Sequence, residues 1–317
     1  MNLDIKKNIL LAPYTSLRIG GPAKYFFEAK DRNELIEAIK WSDSNKLPYF
    51  ILGGGTNILV SDNGFPGLVV RIKNQESRIK NNKIYANAGV SLGKLIAESI
   101  KAGLTGLEWA VGLPGTLGGA IRGNAGSFGK SISNIAEKVG VLDKKSLKIK
   151  KFTNKDCKFG YRDSIFKKNH NLLILEAVLK LKKGDKEKIS QEIKKNILYR
   201  SNNHPKYLSC GCIFKNSNIA NLHKSGHKFH EYTNDLLEKF KGKKWFDKIP
   251  SGYLIEECGL KGKKIGGAEV SQKHANFILN KGGARAEDVI ILISIIKQKV
   301  RNRFGILLEE EIQYVGF

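Results

Sequence analysis

Two glycine-rich loops carry the first chemical signal in this chain. Gly53, Gly54, Gly55, Thr56 and Asn57 follow an apolar run, and Pro114, Gly115, Thr116, Leu117, Gly118, Gly119 and Ala120 lie in a stretch dominated by small residues. Backbone N–H groups stripped of side-chain bulk can be presented to phosphate oxygens. The first loop lacks the lysine of a P-loop, and the second lacks the strand-turn-helix setting of the Rossmann fingerprint. Singly, each reads as a structural turn. Together they point to a dinucleotide held outside a Rossmann frame.

Three short motifs add groups that can do chemistry. In GYRDSIF, Arg162 can clamp a carboxylate through paired donors, the alternative being an ordinary surface pair with Asp163. In SCGCIFKN, Gly211 can let a ligand approach Cys212, with Lys215 and Asn216 as polar contacts; from this motif alone a buried small cysteine is preferred. In the terminal LLEEEIQYVG, Glu309 and Glu311 share one face of an expected strand and Glu310 takes the other, with solvated edge charges as the alternative. His223, His227 and His230 have the spacing of one helical face, but Gly226 interrupts it and no acidic partner is evident, so a basic insertion is expected and no metal site. Cys157, Cys210, Cys212 and Cys258 are expected as reduced thiols, and a lone C-x-C is a weak zinc signal.

The elements that must hold these groups alternate. A strand is expected at Tyr25 to Glu28, then a helix capped by Asp31 with Glu34 three residues on, then strands at Tyr49 to Leu52 and Leu68 to Ile72. Ile84 to Ala88 reads as a strand, and Ser91 caps a helix that Gly103 stops. Strands follow at Lys138 to Leu142, Ile149 to Thr153 and Leu172 to Lys180, then a helix from Lys186 to Arg200. Asn218 to Ile249 is polar and lysine-rich and reads as an inserted surface element. Beyond it come a short helix at Gly252 to Cys258, a strand at Asn276 to Asn280, a long amphipathic helix at Ala286 to Phe304 and a closing strand at Ile306 to Val315.

Composition narrows the class. At 317 residues, two or three domains are expected. No apolar run approaches the ~20 residues of a membrane span, and the N-terminus has no export signal, so a cytoplasmic protein without a membrane partner is expected. Lys and Arg outnumber Asp and Glu by 55 to 30, a formal +25. The excess is scattered lysine without an arginine cluster or aromatic platform, which argues against nucleic acid as a partner.

Read in order, the motifs resemble the UDP-N-acetylenolpyruvoylglucosamine reductase family. The resemblance runs through RIGGPA at Arg18 to Ala23, the GGGTN loop, the PG-x-x-GG loop followed by Asn124, Ala125 and Gly126, and the YRDS motif. It continues through Arg200 to Pro205, GC-x-FKN, and Leu254 to Phe277 ending in KHANF. It implies an α+β flavoenzyme with two FAD-binding subdomains of vanillyl-alcohol-oxidase-like architecture, at 1–72 plus 305–317 and at 73–203, and a substrate-binding domain at 204–304. It also implies non-covalent FAD against the two loops and the Asn124 to Gly126 turn, NADPH as co-substrate, and a UDP-sugar substrate reduced at its enolpyruvyl ether. Arg162 and Glu311 align with the pair that stabilises the intermediate, Arg162 by charge and Glu311 as a protonated donor. Cys212 stands where the family usually has a proton-donating serine. A thiol, with a reference pKa near ~8.5, yields its proton more readily than a hydroxyl. Tyr161, Arg200, Gly211, Lys215, Asn216, Lys261 and His274 are the expected substrate contacts. A tyrosine-bearing loop of the longer family branch is missing between Arg162 and Arg200, which points to the shorter branch, and a monomer is expected. An FAD-dependent alcohol or sugar oxidase of the same architecture and a basic nucleic-acid-binding protein are the competing readings.

Overall fold

In this computed structural model, residues 3–218, 238–240 and 248–317 are described. The three histidines at 223, 227 and 230, and most of the lysine-rich insertion, lie outside the described residues. Among the described ones, no group of His, Cys, Asp or Glu is placed to hold a metal, and no helix is long and apolar enough to cross a membrane.

The chain forms two compact units. One holds Met1–Ile9, Ala23–Gly54 and Pro66–Asn202; the other holds Leu10–Pro22, Gly55–Phe65 and Asn203–Phe317. In the first, β-branched and aromatic runs build two sheets. A four-stranded sheet orders Lys6–Leu10, Pro22–Ala29, Phe65–Ile72 and Tyr49–Leu52, the last two pairing in parallel with Tyr49 opposite Leu68. A parallel pair needs a crossover, and residues 53–64 supply it, while helix Arg32–Ser44, which enters the first of the two strands, packs apolar Leu35, Ala38 and Ile39 into one core with Leu68 and Val70. Asp31 caps that helix by accepting from the Glu34 N–H at 2.8 Å, but the Glu34 carboxylate reaches back to the N–H of Lys30 rather than of Asp31.

The second sheet is antiparallel, in the order Lys148–Thr153, Ala136–Asp143, Leu172–Lys180, Lys83–Asn87 and Ser77–Lys80. Its buried face packs Ile84, Val139, Val141 and Leu179 against Leu95 and Ile96 of helix Leu92–Lys101, against Trp109, and against Ile121. Each such side chain contributes about 1.5–3 kcal/mol when fully buried. Leu142 of this sheet, with Leu173 and Leu175 beside it, also enters the core around Phe27, Ile39, Leu68 and Val70. Shared packing makes the two sheets one compact unit.

The second unit is built around helix Ala286–Phe304, whose Val289, Leu292, Ile293, Ile296 and Val300 are buried at the expected helical spacing. Asp62 accepts from the Ala286 N–H at 2.9 Å, and Gly305 ends the helix in the left-handed region at φ +68°. The helix packs beside a small antiparallel sheet of Lys264–Ile265, Ala268–Val270 and Ile278–Asn280. Residues 305–317 lie in this unit, where Gln313–Val315 pairs in parallel with Ile58–Val60. The expected closing strand is accordingly shorter: it begins at Gln313, and Glu310 makes an isolated bridge to Phe214. With helices and sheets largely segregated, the class is α+β as expected.

Candidate active site

In the first unit the second glycine loop opens a helix that the sequence hid. Thr116 caps Leu117–Gly123, its hydroxyl accepting from the Gly119 N–H at 3.4 Å. A Cβ on Gly53 would stand 2.8 Å from that same hydroxyl, so the GGGTN loop begins against the PGT loop and requires glycine there. Gly118 is likewise pressed on Ala88, where a Cβ would meet the Ala88 Cβ at 2.9 Å. These approaches pack the loops backbone to backbone, with the Leu117 and Gly118 N–H groups donating to the Val90 and Ala88 carbonyls at 2.8 and 2.9 Å.

Asn124 ends the helix in the left-handed region at φ 43°. Its side chain is buried and engaged at both ends, donating to the Gly160 carbonyl at 2.7 Å and accepting from the Ser133 N–H at 3.2 Å. Ala125 donates to the Ala120 carbonyl at 2.8 Å, and Gly126 opens a two-residue strand pair with Lys130–Ser131. Asn124 thus ties the glycine loop to the YRDS motif. In that motif Gly160 and Asp163 exchange backbone hydrogen bonds of 2.9 and 3.2 Å, closing a tight turn with Tyr161 and Arg162 at its centre. Arg162 adopts φ 53°, Tyr161 is exposed, and Ser164 anchors the turn by donating to the Arg122 carbonyl at 2.7 Å. Asp163 pairs with Lys168 at 2.6 Å. Burial raises the Asp163 pKa, but hydrogen bonds from Lys168 and the Ser164 backbone, with the charges of Lys168 and Lys167, together outweigh it and leave the carboxyl below its ordinary value.

Arg200, an expected substrate contact, is buried at the end of helix Lys186–Asn203. Its Nη2 donates to the Trp109 carbonyl at 3.1 Å, and its guanidinium lies 5.1 Å from the Phe128 ring. A Cβ on Gly112 would meet its Cδ at 3.0 Å, so the side chain props the start of the second glycine loop.

In the second unit the segment after Gly211 is the middle of a backbone ladder. Cys212 bridges Phe277, the Ile213 N–H donates to the Asn276 carbonyl at 2.8 Å, and the Glu311 N–H donates to the Ile213 carbonyl at 2.7 Å. Lys215 N–H donates to the Glu309 carbonyl at 2.9 Å, and Asn57 of the first glycine loop donates from Nδ2 to the Glu311 carbonyl at 3.1 Å. Cys212, Glu311 and Asn57 are therefore held by one network. Gly211 sits at φ 82° with open space where a Cβ would be, leaving Cys212 half-buried. Cys210, two residues earlier, is fully buried, and burial pushes its thiol up to about 12.

The three terminal glutamates are separated by their partners. Exposed Glu309 pairs with Lys215, and Glu310 pairs with Lys297 at 2.8 Å. Lys261 pairs with Glu256, and Asn216 accepts from the Ser251 N–H at 3.3 Å. Exposed pairs of this kind are worth about 0–1 kcal/mol, so either lysine can exchange its carboxylate for a phosphate at small cost. His274 lies on Gly252, where a Cβ would stand 3.0 Å from its ring, and its Nδ1 accepts from the Asn276 N–H at 3.3 Å. Burial lowers its pKa, keeping the ring neutral.

Asn276 was missed by sequence reasoning beyond its place in the KHANF motif. Its carboxamide donates to the Phe214 carbonyl at 2.8 Å and accepts from the Phe214 N–H at 2.9 Å. This use of the side chain as a strand surrogate delays the expected strand to Ile278–Asn280.

Comparison with known proteins agrees with this division of labour. The family model described as FAD binding domain matches residues 23–146, and that described as UDP-N-acetylenolpyruvoylglucosamine reductase, C-terminal domain, matches residues 203–315. The UDP-N-acetylenolpyruvoylglucosamine reductase of Prochlorococcus marinus is 37% identical over 320 residues, covering 100% of this chain and 98% of that one. The enzyme of that name from Clostridium tetani is 36% identical over 319 residues, covering 99% and 92%. The crystal structure of UDP-N-acetylenolpyruvylglucosamine reductase from Thermus caldophilus superimposes with a TM-score of 0.77 at 31% identity, covering 99% of both chains. The chain belongs to the UDP-N-acetylenolpyruvoylglucosamine reductase family.

Proposed function

We propose that this chain reduces the enolpyruvyl ether of UDP-N-acetylglucosamine enolpyruvate to UDP-N-acetylmuramate, a step of peptidoglycan precursor synthesis, with NADPH as reductant and FAD as mediator. The observation that carries the reading is the network joining Cys212, Glu311 and Asn57, in a chain that matches the family from end to end. When bound, FAD would supply the hydride chemistry between NADPH and the substrate, with the two glycine loops around Gly53 and Thr116 holding it. The remaining work falls to side chains. Hydride addition places negative charge on the adjacent carbon and its carboxylate, and Arg162 offers a fixed positive charge from a turn whose backbone is closed by Gly160 and Asp163. Glu311 supplies a hydrogen-bond donor to the same charge, and the Cys212 thiol gives its proton to the carbon that carries it. Lys215 and Lys261 meet the diphosphate, with Asn216 and His274 as neutral contacts. Asn124 and Arg200 support the reading as positioning residues, since the structure engages their side chains with the chain itself.

An FAD-dependent oxidase of similar architecture has no need of Arg162, Cys212 and Glu311 together, and the family match does not favour it. A monomer in the cytoplasm, without nucleic acid as partner, completes the proposal; sedimentation of the purified protein checks the first point. The direct test is to mix the flavin-loaded protein anaerobically with NADPH, then add UDP-N-acetylglucosamine enolpyruvate and follow the flavin band near about 450 nm. Bleaching by NADPH and recovery on adding that substrate is the expected result. Recovery that needs only oxygen refutes the reductase.

A further inference from the structure

The Gly211 to Asn216 segment is bordered on one side by the chain around Glu309 to Glu311 and on the other by the KHANF motif. On the first side the bonds are ordinary backbone pairs. On the second, a single residue makes three of them: the Asn276 carbonyl accepts from Ile213 at 2.8 Å, its Oδ1 accepts from the Phe214 N–H at 2.9 Å, and its Nδ2 donates to the Phe214 carbonyl at 2.8 Å. Asn276 is 2% exposed, so neither Phe214 group could turn to water if the carboxamide were lost. A carboxamide both donates and accepts, which neither an ionised carboxylate nor an apolar side chain of the same size can do.

The same residue has a fourth bond. Its N–H donates to Nδ1 of His274, which places the proton of the neutral ring on Nε2 and makes that nitrogen a donor toward a ligand. Ser271 fixes the other end of the turn, its hydroxyl accepting from the N–H groups of Lys273 and His274 at 3.1 and 3.2 Å.

We infer that Asn276 is a positioning residue for the protonation half of the reaction: its side chain aims Cys212 by clasping the backbone N–H and carbonyl of Phe214, two residues on. This inference rests on the proposed role of Cys212. A displaced thiol slows proton delivery but leaves hydride transfer from NADPH to the flavin untouched, so the two half-reactions separate the clasp from general damage. Misplacement of a reacting group by about 1 Å costs on the order of a hundredfold.

The test uses the flavin-loaded protein and Asn276→Asp, with Asn276→Ser as the second variant should the first fail to hold flavin. Anaerobic reduction by NADPH is expected to stay within about twofold, while reoxidation by UDP-N-acetylglucosamine enolpyruvate slows by about tenfold or more. One readout does not depend on turnover: the rate of Cys212 alkylation by iodoacetamide, followed by mass spectrometry, is expected to change by about threefold or more. Equal slowing of both half-reactions, or wild-type behaviour in reoxidation and alkylation, overturns the inference. If Cys212→Ala reoxidises at the wild-type rate, the proton-donor reading fails by itself, and alkylation still decides whether Asn276 holds the segment.

Discussion

The glycine loops of the first unit and the Cys212 segment of the second solve opposite problems. Around Gly53, Thr116 and Gly118 the requirement is for missing atoms, since backbones approach so closely that a single Cβ meets a neighbour at 2.8 or 2.9 Å. Around Cys212 the requirement is for side-chain atoms in register, because Asn276, Asn57 and the Glu309–Glu311 backbone all bond to one another's neighbours. A cofactor cradle is tolerant of residue chemistry and intolerant of volume. A proton-delivery site is the reverse.

Substitutions can sharpen or break that contrast. The largest effect is expected for Cys212→Ala, which should lower kcat by about 10² to 10⁴ without loss of bound flavin, whereas Cys212→Ser should retain activity within about tenfold. Steady-state kinetics on flavin-saturated protein checks both. Next is Gly118→Val: its branches would drive into Ala88, so flavin content at about 450 nm should fall and stability should drop by about 1–3 kcal/mol, read from thermal melting. A normal flavin content in that variant would break the volume argument. Third, Glu311→Gln should cost about tenfold in kcat while Glu310→Gln stays within about twofold, because the Glu310 carboxylate is taken by Lys297. The reverse ranking would show the terminal glutamates one residue out of register.

The smallest effect is in pH. The His274 pKa is lowered in the folded protein, so below the unfolded value of about 6.5 the unfolded chain binds a proton that the native one does not. Stability from this group is complete above that pH and is lost as pH falls toward the folded pKa. Melting curves taken through that window should show a drop that His274→Gln reduces.

What could be read from sequence follows the same contrast. Ala286–Phe304 and Leu172–Lys180 emerge with their observed bounds because apolar periodicity is a local property and these elements are long. Arg162, Cys212 and Glu311 are proposed from motif order, which carries identity without geometry. Helix Leu117–Gly123 was hidden because its glycines carry no period, and Ile58–Val60 because three residues are too few. The closing strand was overextended because Ile306 and Leu308 are buried as strand residues would be, while Glu309 to Glu311 spend their backbone on the Cys212 segment. Asn276 was opaque for a related reason: a carboxamide that replaces a strand backbone has no sequence period at all.

The pairing of Gln313–Val315 with Ile58–Val60 has a consequence for how the chain matures. Synthesis proceeds from the N-terminus, so all three segments of the first unit are available once residue 202 has been made, while the second cannot complete its pairing until Gln313–Val315 has been made. Leu17, Ile19 and Leu59, buried in the finished second unit, are made early and must wait for their partners. During that interval these apolar side chains lack their partners and leave the nascent chain open to aggregation.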